Sequence, residues 1–203
     1  EDYAYFIKAG ITIFEITTDE QYLKFSLELT ETLIENFGDE EGMFFITSKM
    51  KDDVIIRNKQ IVDNVMPNAN AVMIENLTKL DFITGEHKYN QLNTKIIQDY
   101  SSRINKEYFG ICSFLNSLDF FNNYQSIIIT GINKDDNKKI YDQLIKIYLP
   151  NTIILMINEK TNIISKNDFL NQIEIKNQSS IYLCKNNTCS LPSNSVEEIL
   201  KII

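Results

Sequence analysis

One histidine, His87, serves the whole 203-residue chain. It sits in the turn Thr84-Gly85-Glu86-His87-Lys88, where a solvated side chain is expected rather than a catalytic one. Cysteine is scarce too. Three residues make no even disulfide framework, which suggests a reducing, cytoplasmic setting. Cys112, Cys184, Cys189 and His87 do not form a convincing four-ligand set, so no metal site is expected. Basic charge is also in short supply: 20 Lys and Arg face 28 Asp and Glu, a net charge of −8. A partner such as nucleic acid or an anionic membrane is therefore not expected. No uninterrupted apolar run approaches the ~20 residues of a spanning helix. Glycine-rich phosphate loops are missing as well. Gly131 follows the apolar SIIIT, but neither GxGxxG nor Gly-Lys-Ser/Thr is present, and Asp135 and Asp136 would repel phosphate. No cofactor is expected. The chain opens on Glu1-Asp2-Tyr3, without Met or a signal-peptide pattern. It runs straight into a helical pattern and reads as a piece of something longer.

What is present is ordinary for a soluble globular protein, with 43% hydrophobic and 24% charged residues and enough length for a proper core. Apolar spacing predicts a helix over 2–17, with Tyr3, Phe6, Ile7, Gly10, Ile13 and Phe14 on one stripe. Thr18-Asp19 offers a cap for a second helix over 20–37, with Tyr22, Phe25, Leu29, Leu33 and Phe37 in register and Gly38 as its stop. Leu23, Leu27 and Ile34 widen that face, so cover on two sides is expected. Further helices are predicted over 69–84 (Val72, Met73, Leu77, Leu80 and Ile83 inward), 87–105 (Tyr89, Leu92, Ile96, Tyr100) and 111–122 (Ile111, Phe114, Leu115, Leu118, Phe121). Ile16-Thr17 followed by Tyr22 recurs as Ile83-Thr84 followed by Tyr89. Such a short repeat is the pattern of stacked helical hairpins.

The character changes near Asn122-Asn123. Strand 126–131, helix 135–148 and strand 152–157 in succession argue for a parallel βαβ unit. In the helix, Ile140, Leu144, Ile147 and Tyr148 are expected to face inward. One helical turn at 167–171, a third strand over 180–184 and a closing helix over 195–202, capped by Ser193 or Ser195, follow. The predicted class is mainly α with a smaller α/β part, divided into 1–122 and 123–203.

Between the second and third helices lies a long connector, 38–68, and long connectors inside helical domains are uncommon and often functional. It carries Gly42, Phe44-Phe45, Arg57-x-Lys59, Asp63, Pro67 and, at the start of the next helix, Asn70. With Glu1-Asp2-Tyr3-Ala4 and the IYLCKNNTCSLP segment, these residues resemble the family known as DUF255, or YyaL/spermatogenesis-associated protein 20. The resemblance implies a thioredoxin-like domain upstream, then an (α/α)6 toroid of the six-hairpin glycosidase type, then a small α/β piece. On that basis residues 1–122 would be the last toroid hairpins and 123–203 the α/β appendage. The motif departs from the family in one place. Asp-Gly-x-x-Pro-Ser-Gly-Asn-Ser stands here as Asp63-Asn64-Val65-Met66-Pro67-Asn68-Ala69-Asn70-Ala71, which keeps Asp, Pro and Asn and loses Gly and the serines.

The candidate site residues follow from the match. Asp2, at an inner-helix start, would act as general acid or base or grip a sugar hydroxyl; a helix N-terminal acid favoured by the macrodipole is the plain alternative. Asp63 is the second candidate catalytic carboxylate. Arg57, Lys59 and Asn70 would bind a sugar-like substrate, against an alternative of surface ion pairs of little weight. Cys184 and Cys189, matching the family's Cys-x4-Cys, are candidate redox partners across a hairpin, or simply two structural thiols. Sugar epimerases with this toroid use central histidines, which this chain does not offer. The expected function is that of a C-terminal fragment, inactive alone and completed by a separate chain carrying the thioredoxin-like and toroid halves. Carbohydrate processing and a non-enzymatic interaction module are the alternatives.

Overall fold

A computed structural model describes residues 1–104, 109–185 and 188–203. Residue 105, the expected end of the fourth helix, and Asn186-Asn187, expected in the turn between the cysteines, lie outside the described residues. The chain is mainly helical with a small mixed sheet. Contacts divide it into two units. The first holds 1–12, 21–82 and 86–122; the second holds 13–20, 83–85 and 123–203. Among the described residues, no helix is long and apolar enough to cross a membrane.

In the first unit, α1 (Asp2–Thr17) buries Ala4, Ile7 and Ile11 within this unit. Phe6, expected on the inner stripe, is 60% exposed, because the buried face is turned toward Ala4 and Ile11. The second helix, α2 (Glu20–Phe37), differs from expectation in the same way. Its buried line is Leu23, Ser26, Thr30 and Leu33, while Phe25 is exposed. The reason is close approach: a Cβ on Gly10 would meet Ser26 Oγ at 2.2 Å and the Tyr22 carbonyl at 3.1 Å. Only small side chains fit where α1 and α2 come this near. Ser26 Oγ satisfies itself by donating to the Tyr22 carbonyl at 2.9 Å and the Ile7 carbonyl at 3.3 Å.

Helix α3 (Ala69–Thr84) is buried on nearly every side, with Val72, Met73, Ile74, Leu77 and Leu80 all inside. Polar groups in such a helix must find partners. Asn76 donates to the Ala4 carbonyl at 2.8 Å, and Asn93 of α4 (Lys88–Arg103) donates to Ile74 O and Thr78 Oγ1, both at 3.0 Å. Tyr100 of α4 stacks on Phe114 of α5 (Cys112–Asn123), with ring centroids 4.0 Å apart and planes 9° off parallel. On α5, Phe114, Ser117 and Phe120 are buried whereas Leu115 is exposed, which rotates the inner face from the one expected.

The short internal repeat has a structural counterpart. Thr18, after Ile16-Thr17, has φ 61°, and Gly85, after Ile83-Thr84, has φ 72°. Both helices thus end on a residue in the left-handed region, which turns the chain toward the next helix.

The second unit is built on a sheet of order β2-β1-β3-β4. β1 (Gln125–Thr130) and β2 (Thr152–Ile157) run parallel, joined by α6 (Lys134–Leu144), as the strand–helix–strand pattern predicts. Asn133 caps α6, its Oδ1 accepting from the amides of Asp135 (3.0 Å) and Asp136 (3.3 Å). The helix stops at Leu144 rather than 148, and Tyr148 is 89% exposed instead of inward. Pro150 forces the residue before it out of helical conformation, and the chain has already turned at Ile145. β3 (Ser180–Lys185) pairs antiparallel with β1, and the two-residue β4 (Thr188–Cys189) returns along β3. Ile127, Ile129, Tyr141, Leu144, Met156 and Ile181 form the core, with Val196 and Ile199 of the closing helix α8 (Val196–Leu200). The short helix α7 (Asp168–Gln172) is capped by Asn167.

Candidate functional site

The connector of the first unit has almost no regular structure, so its backbone groups must be satisfied one at a time. The Phe45 amide donates to the Phe37 carbonyl (2.9 Å), Ile46 to Asn58 (2.9 Å), Lys49 to Asn36 (2.8 Å) and Asp63 to Gly110 (2.6 Å). Gly42 sits at φ 131°, and a Cβ there would lie 2.5 Å from the Lys95 carbonyl carbon on α4. Only glycine allows that approach and that backbone angle.

Side chains do the rest. Arg57 lies over the Phe45 ring at 4.0 Å and donates from Nε and Nη2 to the Thr47 carbonyl (3.1 and 3.0 Å), with a third bond to the Asn36 carbonyl (3.3 Å). The Lys59 side chain, 4% exposed, meets Asp39 at 2.6 Å, Asp99 at 2.7 Å and Glu41 at 3.1 Å. Arg103 joins from the next turn of α4, at 2.6 Å from Asp99 and 2.7 Å from Glu41. Burial alone would push the Asp99 carboxyl up, but hydrogen bonds from Lys59, Arg103 and the Met43 amide outweigh it and hold the carboxyl below the usual range. Burial pulls the Lys59 ammonium down, and its three carboxylate partners raise it above its ordinary value. Asp39, Glu41 and Asp99 gather closely enough for a cation, yet the Lys59 ammonium already touches all three.

Asp63 is likewise occupied. Its carboxylate accepts from the Ser113 hydroxyl, the Ser113 amide (2.9 Å) and the Asn68 amide (2.9 Å). Burial opposes ionisation here, and the hydrogen bonds prevail, so the group is held as a carboxylate. Asn70 copies a strand neighbour: its Oδ1 accepts from the Phe44 amide at 2.7 Å and its Nδ2 donates to the Phe44 carbonyl at 3.1 Å. Asn68, where the family motif has Ser, caps α3 by accepting from the amides of Asn70 (2.9 Å) and Ala71 (3.4 Å). Both residue types cap helices well, so this departure preserves the cap.

A cavity of about 400 Å³ lies beside this framework. Tyr3, Phe37, Phe44 and Phe45 supply ring surface to its wall, and the Tyr3 and Phe37 rings meet at 5.4 Å. Glu1, Asp2, Gln60 and Asn64 are polar residues of the lining, and Asn70 borders it with its amide bound to Phe44. Among the described residues that line it there is no Lys, Arg or His. The structure therefore brings Asp2 and Asn70 to one cavity, while Arg57, Lys59 and Asp63 brace the connector elsewhere in the same unit. Cys184 and Cys189 belong to the second unit and are joined in a disulfide. His87 is 84% exposed at its side chain, 3.6 Å from Asp81. Sequence reasoning missed Asn68, Asp99, Arg103 and Ser113. The first had a readable signal, an Asn immediately before an apolar helix; Asp99 and Arg103 had another, opposite charges four residues apart.

No protein-family profile matches the chain. Individual proteins do. The chain resembles spermatogenesis-associated protein 20 over its whole length. It is 23% identical to the human and the mouse protein of that name over 210 residues, covering 100% of this chain and 27% of each relative. An uncharacterised protein of Caenorhabditis elegans is 21% identical over 201 residues, 98% of this chain and 27% of its own length. The chain thus spans about a quarter of the length of these curated relatives, and its similarity to spermatogenesis-associated protein 20 agrees with the resemblance read from its motifs.

Proposed function

We propose that this chain is the C-terminal part of a thioredoxin-linked protein with an α/α toroid, and that its aromatic cavity is one wall of a cleft for a neutral, sugar-like ligand. The observation that carries the reading is the cavity lining. Rings match the apolar C–H faces of a sugar, and the Asp2 carboxylate with the Gln60 and Asn64 side chains matches its hydroxyls. The acidic Glu1 and Asp2 in the lining disfavour phosphate or another anion. The volume falls within the ~300–1,000 Å³ of ordinary ligand sites. Catalysis by this chain alone is not part of the proposal, because Asp63 is held as a hydrogen-bonded carboxylate and Arg57, Lys59 and Asn70 are spent on the connector. Completion by a separate or covalently continuous upstream part is supported by the length of the relatives and by Ile55, 99% exposed on the connector with Val65 beside the cavity.

The test is light scattering on a sizing column, with the chain alone and with the upstream thioredoxin-like and toroid product, followed by titration of the complex with neutral mono- and disaccharides. A defined heterocomplex that binds a sugar, and loses that binding in Tyr3→Ala, is the expected result. A monomer that ignores the upstream product overturns completion, and a complex that binds none of the sugars overturns the ligand class.

A further inference from the structure

We propose that the Cys184–Cys189 disulfide is a reversible thiol–disulfide exchange centre whose reaction partner is a dithiol reductant. The two cysteines are direct partners in the β3–β4 ladder. Cys184 is buried on a strand that is itself paired to β1, while Cys189 is half-buried on the short return strand β4. Cys184 is thus the more shielded of the two residues and Cys189 the more accessible.

The return segment has backbone ties besides the covalent link. The Ser190 amide donates to the Leu183 carbonyl (2.8 Å), and the Leu183 amide donates to Ser190 Oγ (3.2 Å). Beyond them, Ile181 and Ser193 exchange two backbone bonds at 2.7 and 2.9 Å. The linked residues are 5 apart in sequence, so the bond withdraws less freedom from the unfolded chain, the usual source of a disulfide's stabilising effect, than one closing a longer loop. A bond that the fold can lose while keeping its ladder is suited to being opened and closed.

In the step proposed, a thiolate of the reductant attacks Cys189 Sγ. The Cys184–Cys189 bond breaks, a mixed disulfide forms at Cys189, and Cys184 departs as a thiolate that takes up a proton. The second thiol of the reductant then attacks its own sulfur in the mixed disulfide and releases Cys189, which is protonated in turn. Two electrons and two protons pass to the chain, and the reductant becomes a disulfide. Anchored beside Cys189, Cys184 is also placed to reverse the first step.

The test uses the 203-residue chain carrying Cys112→Ser, equilibrated without denaturant in mixtures of reduced and oxidised dithiothreitol, quenched in acid, alkylated and weighed intact. Full and reversible interconversion of the disulfide and dithiol forms, with an unchanged far-ultraviolet circular dichroism spectrum, is expected. With oxidised glutathione as probe, the Cys184→Ser variant should form the mixed disulfide at Cys189 at least tenfold faster than Cys189→Ser forms it at Cys184. Reduction that occurs only once the chain unfolds overturns the proposal, as does a dithiol form that cannot be reoxidised. Equal rates at the two positions overturn the assignment of Cys189 as the attacked sulfur.

Discussion

The connector of the first unit and the return strand of the second are both short of regular structure, and they are held by opposite means. The return segment 188–193 borrows a ladder: it lies along β3, and backbone atoms find backbone atoms with little help from side-chain identity. The connector has no ladder to join, so it is pinned by Arg57 on carbonyls, Lys59 among carboxylates, Asp63 on amides and Asn70 posing as a neighbouring strand. The lesson concerns what a motif means. A cluster of charged and amide residues in an irregular segment is as well explained by the backbone it must satisfy as by a substrate.

The comparison is broken most severely at Lys59. Lys59→Met leaves the buried Asp99 with Arg103 and the Met43 amide, and should cost about 3 kcal/mol of stability in urea unfolding. An unchanged unfolding midpoint would mean that the ion cluster does not hold the connector. Asn70→Ala strips Phe44 of both backbone partners and should cost about 2 kcal/mol. In contrast, Tyr148→Ser, on the exposed turn after α6, should stay within about 0.5 kcal/mol of wild type in the same assay.

Charge dependence sharpens the contrast. The carboxyls of Asp99 and Asp63 are held below their ordinary values, so their contribution is complete above the unfolded carboxyl range near ~3.9 and is lost as pH falls through the lower folded values. Lys59 is raised, so its contribution is complete below ~10.4 and is lost as pH climbs through the higher folded value. Urea midpoints measured from pH 2 to 11 should fall at both ends, and Asp99→Asn should flatten the acid side. A smaller effect than at Lys59 or Asn70 is expected at the α3 cap. Asn68→Ala should cost about 1 kcal/mol, and Asn68→Ser should recover most of it.

Much of this was legible in advance, for reasons that differ between the regions. The parallel β1–α6–β2 unit could be read because SIIIT and TIILMI are buried on both faces and carry their signal in composition. Helix α3 could be read because it is apolar nearly all round. The rotation of α1 and α2 could not, since it is set by Gly10 against Ser26, where the smallest residues, not the largest, mark the contact. At the candidate site, the odd composition of the connector was visible, and so was the place of Asp2 at a helix start. That Arg57 and Lys59 turn away from the cavity was not visible, because nothing in Arg-x-Lys says whether its partners are carbonyls, carboxylates or a ligand.

One feature of the connector reaches beyond equilibrium stability. Its anchors lie far off along the chain: Asn70 Oδ1 binds an amide 26 residues away, Lys59 a carboxylate 40 away, and Asp63 an amide 50 away. The Lys59 bond needs α4 in place and the Asp63 bond needs α5, and each closes a loop whose entropy must first be met by other contacts. The connector should therefore order late in folding and open early in local unfolding. Its amides at Phe44 and Asp63 should exchange with deuterium ahead of those at the centre of α3, while the helices around them remain closed.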